Sequence, residues 1–223
     1  EKFSKDFNIE FIRNWKNLVR IQEIDLIIIA TNHKSLAEIT EFCIINDKHV
    51  FVEKPGSRNI KEIKKLISIN EQNNKKIHVG FNHRYHRSFL KARDILDQKS
   101  FGDLMYIRGR YGHGARIGYE KEWRANPDLS GGGELLDQGT HLIDLAHWFL
   151  GDLYLKSGQA HTYFWDMKVD DNVFLTLSTN DNKTAFLHAS CTEWKNLFSF
   201  EIFCKFGKIE LSGLGGSYGV ETI

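Results

Sequence analysis

The sequence predicts two architectures in one chain. An α/β domain on a parallel sheet comes first, and an α+β domain built on an antiparallel sheet with a helix across it follows. Two observations predict this. Up to about residue 85, short aliphatic runs alternate with stretches whose apolar residues recur at helical spacing, which is the grammar of βαβ units. Beyond that point two helical stretches give way to a long succession of strand-like segments, as expected for an antiparallel sheet crossed by helices on one face. The domains are therefore drawn as residues 1–85 and 86–223.

The elements follow in order. Phe7, Phe11, Ile12, Trp15, Leu18 and Val19 predict an amphipathic helix over about residues 6–20. Asp25 to Ala30 is a continuous aliphatic run that suits a strand buried on both faces. Ser35 to Ile45 reads as a helix, His49 to Glu53 as the next strand, and Ile77 to Phe81 as a third. Ser57 is a candidate cap for the helix that carries Ile60, Ile63, Leu66 and Ile67. In the second domain, Phe89 to Leu96 reads as a helix and Leu104 to Tyr111 as a half-buried strand. A polar, Gly-rich stretch runs to Gly133, then a helix to about Phe149. Strands are expected near residues 155–165, 171–179, 184–194 and 198–206.

Composition excludes several function classes. Thirty basic residues against 29 acidic ones leave a net charge of +1, without the basic field of a nucleic-acid binder. No apolar run reaches the roughly 18–20 residues that cross a bilayer. The three cysteines, Cys43, Cys191 and Cys204, lack metal-ligand spacing and suit buried, reduced thiols in a cytoplasmic protein. Glu1 to Lys5 does not read as a signal peptide. The missing initial Met and the unclosed Gly-rich end before Ile223 predict a chain cut at its N-terminus and also at its C-terminus.

Ligands of parallel sheets bind beyond the carboxyl ends of the strands. Three such ends stand out: Ala30-Thr31-Asn32, Glu53-Lys54-Pro55 and Phe81-Asn82-His83-Arg84. An ammonium at Lys54 can polarise a carbonyl or stabilise a developing alkoxide, and a cis peptide bond before Pro55 would aim it. The alternative is a surface lysine beside a turn proline. A second group lies in Gly131 to Asp144, where three glycines open a helix and allow close approach to a ligand. Asp137 and His141 are four apart and share a helix face, so an imidazole stands near a carboxylate, a plausible acid–base pair. A structural His–Asp hydrogen bond and a metal site with a distant third ligand remain as rivals. The third group is the loop holding His113, Arg116, Tyr119, Trp123 and Arg124, whose aromatic faces and guanidinium donors suit sugars and anions. An ordinary long surface loop is the other reading.

Taken together, these pieces resemble the glucose–fructose oxidoreductase/inositol dehydrogenase (Gfo/Idh/MocA) family. The resemblance rests on Ile28-Ile29-Ala30-Thr31, on His49 to Pro55, on Gly80 to Tyr85 and on Gly131 to Gly151. Gly112 to Asp144 looks most like members acting on sugars of bacterial surface polysaccharides. The family implies a partial Rossmann domain over residues 1–85, its first βαβ unit missing, and a substrate-binding and oligomerisation domain over 86–223 with a large, mainly antiparallel, open-faced sheet. It implies NAD or NADP, a sugar or polyol substrate, and a homo-oligomer, dimer or tetramer, formed through the open sheet. No metal, nucleic acid or membrane partner is implied. Carried onto this sequence, Lys54, Asp137 and His141 are catalytic, with His141 the general acid/base and Asp137 positioning the substrate. Ala30, Thr31, Asn32, Glu53, Lys54, Pro55 and Asn82 are expected at the cofactor. Arg84, His113, Arg116, Tyr119, Trp123, Arg124 and Asp137 are expected at the substrate. The sequence departs from the family pattern in lacking the Gly-rich phosphate fingerprint, and Asn32 and Leu36 stand where many members have Pro and His.

Three functions fit these residues. One is hydride transfer between a nicotinamide and a sugar or polyol carbon. A second is non-catalytic binding of sugar or cofactor by a regulator. The third is another reaction of the same cofactor, such as redox-assisted glycoside cleavage or epimerisation.

Overall fold

The structure is a computed structural model, and it describes residues 2–223, with side chains from Ser4 onward. The reading of the opening residues around Glu1 lies outside the described residues. The chain forms two compact units, one ending at Gly80 and the other spanning Phe81–Ile223. The division falls five residues before the predicted one. Asn82–Tyr85 forms a 3₁₀ turn leading into the next helix, so this segment is part of the second unit.

In the first unit, strands β1 (Leu26–Ile29), β2 (His49–Glu53) and β3 (Ile77–Gly80) form a parallel sheet in sequence order. In-register pairing of Ile29 with Val52 and of Val52 with Val79 brings the three carboxyl ends to one edge. Helices α3 (His33–Ile45) and α4 (Ile60–Asn73) supply the crossovers. Ile27, Ile29, Val50 and Val52 point into a core with Leu36, Ile39 and Cys43. The opposite face is open among the described residues: Ile28 is 70% exposed and Leu26 52%. Both crossover helices pack on the Ile27–Ile29 side of β1.

Two local features differ from the sequence expectation. The predicted helix over 6–20 is two short helices, α1 (Lys2–Phe7) and α2 (Trp15–Val19). Asn8 takes a positive φ of 51° and ends the first, while Asn14 accepts from Lys16 N–H at 3.0 Å and starts the second. The cap of α4 is Asn59, not Ser57. Its Oδ1 accepts from Lys61 and Glu62 N–H at 3.0 and 3.1 Å, whereas Ser57 Oγ donates to Asn59 O. Both residue types cap helices, and position decides between them.

The second unit is a six-stranded sheet in the order β5-β6-β7-β4-β8-β9. Its strands are β4 (Leu104–Gly112), β5 (Tyr154–His161), β6 (Asn172–Ser178), β7 (Thr184–Ser190), β8 (Leu197–Cys204) and β9 (Gly207–Ser212). Only β4 and β7 pair in parallel; the remaining pairs are antiparallel. β9 is a strand the sequence reading did not separate. Helix α5 (Arg87–Asp97), the short α6 (Pro127–Ser130) and α7 (Thr140–Leu150) complete the unit. Phe89, Leu142, Leu145, Ile107, Leu187 and Phe200 form the centre of its core. The phenylalanines of the late strands divide. Phe198 and Phe200 are buried in that core, while Phe186, 49% exposed, lies on the other side of the sheet.

Candidate active site

At the carboxyl edge of the parallel sheet, β1 leads through Ala30, Thr31 and Asn32 directly into α3. Asn32 is the N-cap residue but makes no capping bond with its side chain. Ser35 N–H in the first turn donates to Asn32 O at 3.2 Å, and the amino end of α3 lies at this edge, where polar or anionic ligands of such sheets bind. Beside it, β2 runs into Glu53-Lys54-Pro55. The Lys54–Pro55 peptide is cis, and Gly56 N–H closes the turn on Glu53 O at 3.0 Å. Glu53 is exposed and Lys54 half-buried.

In the second unit, a single π-helical turn, Leu135–Gly139, runs into α7. Such turns are rare and cluster at functional sites. They shift the side chains that follow relative to a regular helix, and this one carries Asp137 and delivers His141. The start of the run is held by Asp170. Its two carboxylate oxygens accept from Gly133 N–H at 3.0 Å and Leu135 N–H at 2.7 Å, and its carbonyl accepts from Glu134 N–H at 3.0 Å. A Cβ on Gly133 would lie 1.9 Å from Asp170 O. The glycine at 133 thus answers a close approach by the chain itself, not by a ligand. Gly131, with φ of 82°, ends α6 in the left-handed conformation.

Asp137 is buried, and its Oδ2 accepts from Arg124 Nε at 2.9 Å. The Arg124 guanidinium lies 4.5 Å over the Trp123 ring. His141 is also buried, at 4% exposure. Its ring stacks on that of His83, with centroids 3.9 Å apart and planes 21° apart. Phe81 and Tyr111 meet His141 edge-on at 6.2 and 6.0 Å. Burial pushes the Tyr111 phenol well above its ordinary value, with Tyr218 adding to the effect.

The other predicted contacts are distributed as follows. Arg84 grips Asp144 with two bonds, Nε to Oδ2 at 2.8 Å and Nη2 to Oδ1 at 2.6 Å. Asn82 Oδ1 lies 3.0 Å from His83 Nδ1. Tyr119 Oη donates to Glu134 Oε1 at 3.2 Å, and His113 Nε2 lies 3.5 Å from the same oxygen. Because His113 Nδ1 accepts from Ala115 N–H at 3.0 Å, its Nε2 carries the hydrogen that faces Glu134. Arg116 is exposed and pairs with Glu122 at 2.8 Å. Two residues were missed by sequence reasoning. Glu134 is a carboxylate with 1% exposure that ties His113 and Tyr119 to the π-helical turn; a glutamate opening a helix gives no signal of burial. His83 lay inside a quoted motif, but a ring-on-ring contact between residues 58 positions apart has no local signature.

Among the described residues, no group of three or more His, Cys, Asp or Glu is arranged to hold a metal ion. None of the described helices is long and apolar enough to cross a membrane. All three cysteines are free and buried.

Two family models match this chain. The model described as "Oxidoreductase family, NAD-binding Rossmann fold" covers residues 1–81, and "GFO/IDH/MocA C-terminal domain" covers residues 89–210. The chain belongs to the Gfo/Idh/MocA oxidoreductase family. Among curated members, the trans-1,2-dihydrobenzene-1,2-diol dehydrogenase of Xenopus tropicalis is 25% identical over 191 residues, 85% of this chain and 57% of the relative. The levoglucosan dehydrogenase of Pseudarthrobacter phenanthrenivorans is 28% identical over 152 residues, 67% of this chain and 39% of the relative. A solved levoglucosan dehydrogenase in complex with NADH and levoglucosan superposes with a TM-score of 0.88 at 24% identity. That match covers 94% of this chain and 60% of the solved one. This Gfo/Idh/MocA chain thus spans about 40–60% of the length of these relatives. The Gfo/Idh/MocA fold corresponds to the predicted pair of architectures, a parallel sheet followed by a mixed, mostly antiparallel open one.

Proposed function

We propose that the whole protein is an NAD- or NADP-dependent oxidoreductase. It moves a hydride between the nicotinamide and a hydroxyl or keto carbon of a sugar, sugar derivative or polyol. One observation carries this reading: a buried imidazole, His141, follows a buried carboxylate, Asp137, that Arg124 holds at 2.9 Å. The Lys54 ammonium at the edge of a parallel sheet and relatives named inositol 2-dehydrogenase and levoglucosan dehydrogenase support it.

The amino end of α3 and the polar edge formed by Thr31, Asn32 and Glu53, at the carboxyl ends of the parallel strands, suit a nucleotide cofactor. Ala30, Thr31, Asn32, Glu53, Lys54, Pro55 and Asn82 are assigned to hold it. When bound, a nicotinamide supplies the hydride acceptor or donor. In oxidation, a ring nitrogen of His141 takes the hydroxyl proton. The Lys54 ammonium stabilises the negative charge that develops on the same oxygen. Asp137, oriented by Arg124, accepts hydrogen bonds from neighbouring hydroxyls and fixes the ring. Trp123 and Arg116 extend this surface, His113 and Tyr119 shape it through Glu134, and Arg84 anchors α7 through Asp144. Reduction reverses the roles of His141 and Lys54. The open face of the six-stranded sheet, bearing Phe186, is assigned to self-association as a dimer or tetramer.

The test follows reduced-nicotinamide absorbance on the whole protein with NAD or NADP and a panel of inositols, levoglucosan and free sugars. Turnover is expected, and Lys54→Ala and His141→Asn should each lower kcat by roughly 10²–10⁴-fold. Loss of less than tenfold, about 1.4 kcal/mol of barrier, in either variant would remove that residue from the chemistry. Binding of cofactor and sugar without turnover would favour the regulatory reading. Products other than the simple ketone or lactone would point to epimerisation or glycoside cleavage.

A further inference from the structure

His83 enters from the turn before α5, and it was given no role above. Its ring is 5% exposed and lies face to face on His141. It is boxed in on several sides. Tyr111 of β4 is 5.2 Å away, Phe198 of β8 5.9 Å, and His86 5.5 Å. Its Nδ1 is 3.0 Å from Asn82 Oδ1; an amide oxygen only accepts, so that nitrogen carries a hydrogen. The ring is thereby fixed in plane and in rotation, and it presents a flat π-face to the His141 imidazole.

We propose that His83 is a positioning residue for His141, fixing the plane of its ring by stacking and coupling the protonation of the two imidazoles. The proposal rests on the assignment of His141 as acid/base. An imidazole that takes a proton from a substrate hydroxyl must hold a ring nitrogen in line with it, and a small loss of alignment costs rate steeply. A planar neighbour at van der Waals distance restricts tilt in a way that a flexible aliphatic side chain does not. Two imidazolium rings 3.9 Å apart also repel strongly, so protonation of one disfavours protonation of the other and the pair titrates in separate steps.

The other ionisable groups in this unit around the pair are accounted for. His86 is paired with Glu221, Nδ1 to Oε2 at 2.8 Å. The Glu221 carboxyl is held below its ordinary value because hydrogen bonds from Ser88 N–H and His86 outweigh the effect of burial. Tyr111 is kept protonated by burial. Asp137 is engaged by Arg124, and Asp144 by Arg84.

The experiment compares His83→Phe, which keeps a flat ring and removes the ionisable nitrogen, with His83→Leu, which fills similar space without a plane. Two readouts are taken on the whole protein. In histidine-labelled NMR titrations, with the His141 signal assigned by its loss in His141→Asn, the wild-type resonance should titrate in two steps separated by about one pH unit or more. In His83→Phe it should collapse to one step. In turnover assays, His83→Phe should keep kcat within about threefold of wild type. His83→Leu should lower it by about tenfold or more, with KM moved less than about twofold. A titration of His141 identical in wild type and His83→Phe overturns the coupling. Equal kcat in the Phe and Leu variants overturns the positioning. Failure of the wild type to turn over any sugar sinks the oxidoreductase assignment alone, because the titration needs no substrate and still decides the pairing.

Discussion

Replacing Gly133 with alanine puts a methyl group where the chain has left no room. The new Cβ would lie 1.9 Å from Asp170 O, 2.6 Å from Asp170 N and 2.8 Å from Asp170 C. All three atoms are main chain, so no side-chain rotation relieves the contact. The two segments must separate by about 1.5 Å to reach ordinary contact distance. That separation breaks the Glu134 N–H to Asp170 O bond of 3.0 Å and the two carboxylate bonds of 3.0 and 2.7 Å that start the π-helical turn. One neutral bond is worth about 1 kcal/mol and a bond to a charged acceptor about 1.5–3 kcal/mol. With water recovering part of the loss, Gly133→Ala should destabilise the second unit by roughly 3–5 kcal/mol. Gly132→Ala is the matched control. Its Cβ meets only the Leu136 side chain, Cβ at 3.3 Å and Cδ2 at 3.7 Å, and the change should cost no more than about 1 kcal/mol. Urea unfolding, followed by tryptophan fluorescence and circular dichroism, reads both variants. If Gly133→Ala unfolds within about 1 kcal/mol of Gly132→Ala, Asp170 does not clamp the start of the helix, and the clash argument fails.

Three further outcomes are expected. Arg84→Gln removes the bidentate grip on Asp144, whose side chain is only 9% exposed. It should cost about 2–3 kcal/mol, the low end for a buried pair because a third of Arg84 meets water; urea unfolding unchanged from wild type would refute this. Burial alone would raise the Asp171 carboxyl, but hydrogen bonds from Phe164, Tyr163, Asn172 and Trp165 outweigh it and hold it below its ordinary 3.8. Its contribution is complete above pH 3.8 and is lost as pH falls through the lower folded value. Asp171→Asn should therefore flatten the acid limb of a melting-temperature profile below about pH 4, and an unchanged limb would exclude the effect. Burial pushes the Cys43 thiol up to about 11 and also raises Cys191 and Cys204. Thiol-specific alkylation at pH 8 should label the native protein slowly and all three cysteines after unfolding. Rapid native labelling of Cys43 would contradict its place in the core.

What the sequence made legible was whatever depends on local pattern. The limits of β2, His49–Glu53, were read directly, because β-branched and aromatic residues end there against a lysine and a proline. The two sheet types followed from alternation and from the change in grammar near residue 85. Long-range effects stayed hidden. That Ile27 and Ile29 are the β1 residues covered by α3 depends on where that helix packs. The helix over 6–20 had the right periodicity and still broke at Asn8, where φ turns positive. In the candidate site, Lys54, Asp137 and His141 were visible as residue types at telling positions. Glu134, His83 and the clamp at Asp170 were not, since each draws its meaning from a partner distant in sequence. Arg84 was marked as important for its charge, and only the fold pairs it with Asp144.

Lys54 and His141 are proposed to serve one carbon–oxygen bond, and a double-mutant cycle on the rate of hydride transfer tests that most directly. Lys54→Met, His141→Gln and the double variant are compared with wild type in single-turnover nicotinamide reduction. Groups acting together in one transition state give grossly non-additive losses, so the double variant should be about as slow as the slower single one. Losses that multiply in full would mean that the two residues act independently, contradicting the mechanism.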